Sequence, residues 1–179
     1  MLDVHILTMP DTSKAWTEQC LYSTFEAVHM AGFPVSVHVV PGIIGSIGQG
    51  RARGYALGHY PYVTCIDDDD YVLPYAFRNM NEALEDERWT AIATPENIER
   101  NGYMLAGKIR HHLIAYRRES IIDHRPWKCC GDVRQMHSID ESAWCDLRHI
   151  GYVHRVYESK ARLMRRANQD ELNQAISYG

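Results

Sequence analysis

The sequence lacks the features that mark disulfide-bonded, zinc-binding and membrane-spanning proteins. Its five cysteines are an odd number, Cys129 and Cys130 are adjacent, and no pair has CxxC spacing, which argues against a disulfide framework or a zinc site. No apolar run approaches the roughly 18 residues that a membrane span requires, so we expect no membrane partner. Residues 1–7 have neither the basic start nor the long apolar core of a signal peptide, and we expect a cytoplasmic protein.

The composition is that of an ordinary folded protein. The chain has 179 residues, of which 45% are apolar and 23% charged. These fractions argue against disorder, collagen and coiled coil. The length suits one domain and is sufficient to bury a sizeable core.

The acidic excess of the chain equals one short run. There are 23 Asp and Glu against 19 Lys and Arg, a formal net charge of −4, and residues 67–70 are four consecutive aspartates. Carboxylates this close repel one another, so such a run is usually found where a counter-cation binds or at a solvated tip. The acidic total argues against nucleic acid as a partner, because nucleic-acid-binding proteins usually have a strong basic surplus.

Apolar runs and helical periodicities alternate along the first half of the chain. The predicted strands are residues 4–8, 34–40, 62–66 and 89–94, and the predicted helices run from Ser13 to Gly32, over residues 51–57 and from Pro74 to about residue 87. This βαβαβαβ order predicts an α/β protein with a mostly parallel sheet covered by helices.

The second half of the chain lacks this regular alternation of strands and helices. Asn101-Gly102 predicts the turn of a β-hairpin. A strand over residues 112–116 would point His111 and His112 to opposite faces. The remaining predictions are a loop at residues 118–131, helices at 140–149 and 169–177, and a strand at 152–156.

The aspartate run directly follows the third predicted strand. Open α/β sheets bind ligands at the carboxyl ends of their strands, which places the run at a site. In an extended segment, Asp67 and Asp69 would share one face, and Asp68 and Asp70 the other. One face would coordinate Mg²⁺ or Mn²⁺ through hard oxygen ligands, while the other meets sugar hydroxyls or caps the next helix. An acidic helix cap alone would need only one carboxylate.

The glycine-rich segment at residues 41–50 fits neither common phosphate-binding motif. Arg53 stands where G-x-G-x-x-G needs its third glycine, and Arg51-Ala52 replaces the Lys-Ser/Thr of a P-loop. We therefore interpret the segment as a structural loop. Arg51 and Arg53, near a helix start, suit an anion.

Residues 52–63 lead directly into residues 65–74, and together they resemble the core of family 2 glycosyltransferases with the GT-A fold. In that family, an Ala-Arg-Asn helix precedes a strand that ends in Asp-x-Asp-Asp-x-x-x-Pro. The positions that match this spacing without gaps are Asp67, Asp69, Asp70 and Pro74. Three positions depart from the family pattern. Residues 40–42 (Val-Pro-Gly) replace an Asp-Asp-Gly-Ser type segment, Gly54 replaces Asn, and the family's Glu-Asp pair appears as Asp140-Glu141.

The resemblance implies a GT-A-type Rossmann-like sandwich with a mostly parallel central sheet in a single compact domain, residues 1–179. Residues 1–95 would form the nucleotide-sugar-binding half. Residues 96–179 would form the acceptor-binding half, ending in a basic segment.

The resemblance also implies an activity. A metal-dependent enzyme would move a sugar from a nucleotide-sugar donor, with a UDP-sugar favoured, to an acceptor hydroxyl with inversion. A Mn²⁺ or Mg²⁺ ion would neutralise the diphosphate leaving group. Asp69 would hold the ion with help from Asp67, and His154 lies where it could approach it. Asp140 or Glu141 would deprotonate the acceptor. The other implied contacts are Thr8, Pro10, Arg53, Asp67, Asp68, Arg165 and Arg166 with the donor, and Trp127 and Trp144 with the acceptor.

Two other functions remain open. A nucleotidyltransferase also uses a metal held by aspartates at a strand end, but residues 9–14 supply only Lys14 as a phosphate-gripping group. A non-catalytic sugar- or metal-binding module would have no use for a base at Asp140 or Glu141. The acceptor is open, and the basic residues between positions 148 and 166 could admit DNA with hydroxylated bases.

Overall fold

A computed structural model describes residues 1–107, 109–127 and 131–157. Several predicted features lie outside these ranges: Cys129, Cys130, Arg165, Arg166 and the helix at residues 169–177. Among the described residues, no helix is both long and apolar enough to span a membrane.

The described chain alternates strands and helices in its first half and is richer in strands in its second. The strands are β1 (Leu2–Thr8), β2 (Val35–Pro41), β3 (Tyr62–Asp67), β4 (Tyr71–Val72), β5 (Ala91–Ala93), β6 (Glu96–Arg100), β7 (Tyr103–Ala106), β8 (Ile114–Arg117), β9 (Trp144–Asp146) and β10 (Tyr152–Val156). The helices are α1 (Lys14–Met30), α2 (Ile47–Tyr55), α3 (Asn81–Glu85) and α4 (Gly131–His137), with 3₁₀ turns at Arg78–Met80, Arg118–Ser120 and Glu141–Ala143.

The central sheet has six strands in the order β2-β1-β3-β8-β5-β9. β1 pairs in parallel with both β2 and β3, and β5 pairs in parallel with β9. β8 is antiparallel to both of its neighbours. Leu2, Val4 and Ile6 of β1 are fully buried, as expected for a central strand covered on both faces. The predicted α/β architecture with a mostly parallel central sheet is confirmed.

A second sheet of four strands has the order β4-β10-β6-β7. β6 and β7 form the predicted hairpin, because Asn101 (φ 51°) and Gly102 (φ 78°) both adopt the left-handed backbone of a two-residue turn. β4 follows the aspartate run and pairs antiparallel with β10. The second sheet therefore brings β10, from the far end of the described chain, to the end of β3.

Two helix predictions are wrong in detail. The segment from Pro74 to residue 87 is not one helix but a turn, a 3₁₀ turn and the short α3, which together bury Phe77 and Met80 completely. Residues 140–149 form a 3₁₀ turn followed by β9. The edge of the central sheet offers that segment backbone partners, since Thr90 N–H donates to Ala143 and Leu147 N–H donates to Ala93, and these override its weak helical pattern.

Some glycines in the first half of the chain allow neighbouring segments to pack closely. Gly54 of α2 lies against the buried ring of His5, and a Cβ at this position would come within 2.5 Å of that ring. This contact explains why asparagine is absent from position 54. The interpretation of residues 41–50 as a loop is wrong for residues 47–50, because α2 begins at Ile47, four residues before the helix predicted over residues 51–57. In this first turn of α2, Gly48 N–H donates to the Trp127 carbonyl at 3.0 Å. Ser13 stands at the N-cap of α1, although its hydroxyl makes no capping hydrogen bond.

Candidate functional site

The aspartate run forms a turn at the carboxyl end of β3. β3 ends at Asp67, and Asp70 N–H donates to the Asp67 carbonyl at 3.2 Å to close the turn. The expected alternation of two faces is therefore wrong, because residues 68–70 leave the extended conformation. The turn directs the carboxylates toward different parts of the molecule. Thr8 ends the neighbouring β1, so it lies at the same sheet edge as Asp67.

Asp68 holds the loop that joins β1 to α1. Its carboxylate accepts hydrogen bonds from Met9 N–H (2.8 Å), the Thr12 hydroxyl (2.8 Å) and the Thr17 hydroxyl (3.3 Å). The residue is 1% exposed. Burial raises the pKa of Asp68, although the bonds from Thr12 and Met9 act in the opposite direction. The exposed Pro10 lies in the loop that Asp68 organises.

Asp70 holds β10 against the turn. Its carboxylate accepts from the Tyr152 hydroxyl at 2.9 Å and from Arg155 N–H at 2.7 Å, and it lies 3.1 Å from His154 Nδ1. Asp69 is 3% exposed, and its carboxylate accepts from the Tyr157 hydroxyl at 3.3 Å. The turn and β10 thus form one polar unit.

Asp67 pairs with Arg51 of α2. Arg51 Nη2 lies 3.2 Å from both carboxylate oxygens of Asp67, and Nη1 lies 3.5 Å from Asp132 Oδ2. Burial lowers the pKa of Arg51, but the two carboxylates raise it more, so the guanidinium stays charged. Arg53, which the sequence placed at the donor, is exposed and donates to the Pro41 carbonyl at the carboxyl end of β2.

Asp132 is a site residue that sequence reasoning missed. It stands in the first turn of α4, directly after the predicted loop at residues 118–131, and no spacing motif includes it. Burial raises the pKa of Asp132, but Arg51, His112 and the Val133 N–H together outweigh this effect, and the net pKa is lowered. A small cavity of about 20 Å³ is lined by Arg51, Asp67, His112, Asp132 and Tyr152, among others. That volume holds one water molecule or a cation and is far too small for a nucleotide sugar.

Three histidines and two carboxylates cluster beside this cavity, and we call them the histidine cluster. Its members are His111, His112, His154, Glu96 and Asp70. His111 Nδ1 lies 2.9 Å from Glu96 Oε1, and His112 Nδ1 lies 2.7 Å from Glu96 Oε2. The rings of His112 and His154 stack at 4.1 Å. The expectation that His111 and His112 face opposite sides is wrong, because β8 begins only at Ile114.

The predicted catalytic pair lies in a different environment. Asp140 is exposed, and its carboxylate accepts from the Ser142 hydroxyl and from Ser142 N–H at 2.8 Å, and these two bonds lower the pKa of Asp140. Glu141 is 85% exposed and lies 2.7 Å from Arg110 Nη1. Neither residue lines the cavity that contains Asp67 and Asp132.

The two predicted acceptor tryptophans are both packed against arginines. Trp144 is 7% exposed and lies 4.6 Å from the Arg110 guanidinium carbon. Trp127 is half-buried, with the Arg134 guanidinium 4.2 Å from its ring. Trp127 therefore presents more of its surface to an incoming ligand than Trp144 does.

The fold is similar to those of solved glycosyltransferase structures. S. aureus TarS (residues 1–349) in complex with UDP-GlcNAc matches with a TM-score of 0.68 and 14% identity, over 88% of this chain and 59% of that chain. A second structure of S. aureus TarS (residues 1–349) matches with a TM-score of 0.65 and 13% identity, over 91% of this chain and 63% of that chain. A Drosophila β1,4-galactosyltransferase 7 mutant in complex with manganese, UDP-Gal and xylobiose matches with a TM-score of 0.57 and 14% identity, over 94% and 78%.

These likenesses identify the fold as that of the GT-A glycosyltransferases. The chain spans less than two-thirds of the length of the TarS (1–349) structures. No protein-family model matches the sequence, and no curated protein matches it.

Proposed function

We propose that this protein is a metal-dependent glycosyltransferase that moves a sugar from a nucleotide-sugar donor to an acceptor hydroxyl with inversion. The observation that carries the proposal is the aspartate turn at the carboxyl end of β3, built into a GT-A fold. In an open α/β sheet, this edge is where ligands bind. Asp68 and Asp70 anchor the neighbouring segments, whereas Asp67 and Asp69 contact the side chains of Arg51 and Tyr157.

The proposal assigns the divalent ion to Asp69 and Asp67. Carboxylate oxygens suit Mn²⁺ or Mg²⁺, and four carboxylates in one turn repel one another until a cation offsets them. When bound, the ion would neutralise charge on the diphosphate leaving group. Arg51 already offsets the charge of Asp67, which leaves Asp69 as the principal ligand.

The donor is proposed to lie along the edge that Thr8, Pro10 and Arg53 share with the turn. Asp68 would contribute by fixing the β1–α1 loop against which the nucleotide lies, because its oxygens bond to that loop. Arg165 and Arg166, which lie outside the described residues, are proposed to contact the diphosphate. A UDP-sugar is the favoured donor, since the similar structures were solved with UDP-GlcNAc and UDP-Gal.

The acceptor hydroxyl requires a general base, and three carboxylates are candidates. Asp140 and Glu141 follow from the family resemblance, and the structure adds Asp132, which shares a cavity with Asp67. The acceptor itself is proposed to pack on Trp127 or Trp144. A saccharide hydroxyl or a hydroxylated DNA base both fit this chemistry.

Calorimetry with UDP, GDP and CDP, each with and without Mn²⁺, tests the donor site. We expect Mn²⁺-dependent binding of UDP that is lost in Asp69→Asn and retained in Asp86→Asn, whose carboxylate pairs locally with Arg88. A protein that binds none of the nucleotides in the presence of Mn²⁺ would overturn the proposal.

Hydrolysis of the UDP-sugar in the absence of acceptor separates an enzyme from a binding module. We expect slow hydrolysis that depends on Mn²⁺ and on Asp69. Transfer to an acceptor should fall about 10²–10⁴-fold in whichever of Asp132→Asn, Asp140→Asn and Glu141→Gln removes the base, with nucleotide affinity unchanged. Release of pyrophosphate from a nucleoside triphosphate would instead favour the nucleotidyltransferase.

A further inference from the structure

Glu96 is a carboxylate held deep in the second sheet. It is the first residue of β6, and its side chain is 1% exposed. Gly107 packs directly against it, and a Cβ at position 107 would come within 2.5 Å of Glu96 Cγ. Only a glycine at position 107 leaves space for the Glu96 side chain. This close fit favours a specific role for the Glu96 carboxylate.

Two imidazoles converge on Glu96, one on each oxygen. His111 Nδ1 and His112 Nδ1 lie 2.9 Å and 2.7 Å from Oε1 and Oε2, respectively. Within the described residues, they are the only side chains that bond to the Glu96 carboxylate. One donor atom from each of the three residues lies within 4.8 Å of the other two. Burial alone would raise the pKa of Glu96, but the two imidazoles outweigh it and lower that pKa to about 2.

The backbone just before the two histidines is unusual. Arg110 has φ 61°, a left-handed conformation that residues with a Cβ adopt only at a cost of about 1–2 kcal/mol. In an extended strand, the rings of His111 and His112 would point to opposite faces. The left-handed backbone at Arg110 interrupts the extended conformation just before them. The Arg110 side chain is anchored by Asp146 at 2.8 Å and Glu141 at 2.7 Å. The fold thus holds a strained residue in place, and the result is a pair of neighbouring imidazoles on one carboxylate.

We propose that Glu96, His111 and His112 form a binding site for Zn²⁺, distinct from the Mn²⁺ or Mg²⁺ site of the aspartate turn. Two imidazole nitrogens and one carboxylate oxygen are a common zinc donor set, which leaves a fourth position for water or a ligand. Such nitrogen-rich sets favour Zn²⁺ over Mg²⁺, which prefers oxygen ligands. The cysteine pattern gave no hint of this site because it contains no cysteine.

The geometry fits an ion after a small adjustment. Ligand atoms about 2.0–2.1 Å from a tetrahedral Zn²⁺ are separated by roughly 3.3 Å, so the nitrogens and the carboxylate oxygens must move apart by about half an ångström. His111 is one-third exposed, and its ring can make this movement. His111 and His112 both line the cavity of about 20 Å³, so the fourth position would open toward Asp67 and Asp132.

Two alternatives make different predictions. A proton shared between Glu96 and the histidines would neutralise the carboxylate without any metal. A second set of donors, Asp70, His112 and His154, also lies within 4.8 Å, and it would bind the ion next to the aspartate turn. The two metal sets share only His112, so variants of the other members distinguish them.

Equilibrium dialysis of the 179-residue chain against Zn²⁺, with Mg²⁺ in excess, tests the site. We expect about one Zn²⁺ per chain, and an affinity more than about tenfold weaker in both Glu96→Gln and His111→Gln. The matched controls are Glu87→Gln and His59→Gln, which change exposed residues elsewhere and should bind like the parent chain. His154→Gln and Asp69→Asn should also retain the ion.

The Co²⁺-substituted protein provides a second readout. A visible absorption band of tetrahedral Co²⁺ should form in the parent chain and disappear in His111→Gln, a variant at a partly exposed position that we expect to fold. Near-ultraviolet circular dichroism checks that expectation for each variant. The proposal fails if the parent chain takes up no Zn²⁺, if Glu96→Gln and His111→Gln bind it unchanged, or if the ion is lost in His154→Gln or Asp69→Asn instead.

Discussion

Two groups of carboxylates in this protein carry similar sequence signals and have very different surroundings. Asp68, Asp69 and Asp70 of the turn are each at most 3% exposed, and Asp68 and Asp70 bond to residues 51 to 85 positions away. Asp140 and Glu141 are exposed, and Asp140 bonds within its own turn. The comparison shows that an acidic motif indicates chemistry only after the structure shows what its carboxylates contact. The turn acts as a junction of distant segments, whereas the 140–141 pair lies on the surface.

The largest effect should come from the buried side of this comparison. Asp70→Asn removes a charge that receives bonds from Tyr152 and Arg155 and leaves their donors poorly paired. We expect the free energy of unfolding to fall by about 3–5 kcal/mol, measured by urea denaturation. An unfolding midpoint like that of the parent chain would show that Asp70 does not hold β10.

A similar loss is expected when the cation between two carboxylates is removed. Arg51→Met leaves Asp67 and Asp132 facing each other without a counter-charge, and we expect a loss of about 2–4 kcal/mol. The double variant Arg51→Met/Asp132→Asn should recover part of that loss, because the repulsion is gone. A double-mutant cycle gives the coupling energy, and additive losses would mean that Arg51 and Asp132 are energetically independent.

The same contrast between buried and exposed groups applies to histidines and predicts a pH dependence. Burial, with a further contribution from Arg51, lowers the pKa of His5 to about 3. In the unfolded chain, His5 becomes protonated near pH 6.5, whereas in the folded chain it stays neutral until the pH approaches 3. The contribution of neutral His5 to the free energy of unfolding is therefore fully present above about pH 6.5 and is lost as the pH decreases toward 3. The loss at pH 5 from this one group is about 2 kcal/mol.

His5→Phe should flatten this pH dependence, because the ring that resists protonation is gone. The unfolding free energy measured at intervals between pH 7 and pH 4.5 gives the slope. His59→Phe is the control, since His59 is exposed and should leave the slope unchanged. Equal slopes in His5→Phe and the parent chain would contradict the assignment.

The smallest effect should come from the exposed pair. Asp140→Asn and Glu141→Gln are expected to leave the urea midpoint unchanged. Asn caps a turn about as well as Asp, and solvent screens the exposed ion pair between Glu141 and Arg110. If either variant unfolds as readily as Asp70→Asn, then the exposed pair stabilises the fold as much as the aspartate turn does, and the proposed difference between the two groups is wrong.

Short sequence patterns correctly predicted the strands and the turn that depend on neighbouring residues. Alternating apolar runs located β1, β2 and β3 to within two residues, and Asn101-Gly102 identified the hairpin because its backbone requires φ > 0 at both positions. The helix expected over residues 140–149 was wrong, because a sheet edge supplied by β5 offers backbone partners that no local pattern reveals.

The site was only partly predictable for the same reason. The position of the aspartate run at the carboxyl end of β3 was predicted correctly, since four adjacent acids directly follow an apolar run in the sequence. Arg51 and Asp132 come together only through the packing of α2 against α4, and they are 81 residues apart in a chain that shows no motif linking them. His112, which lines the same cavity, connects it to Glu96 of the second sheet. The pairing of His111 with His112 depends on the backbone at Arg110, which sequence propensities do not predict.

The bonds between Asp70 and β10 have a consequence for the order of events during synthesis. Arg155 follows Asp70 by 85 residues, so at about 5–20 residues per second a ribosome delivers β10 roughly 4–17 s after the turn. During that interval Asp70 lacks its partners from β10, whereas the residues that contact Asp67 and Asp68 have already been synthesised. A divalent ion captured by the turn at this stage would hold its loop in shape, and the same ion would assist folding before it took part in any reaction.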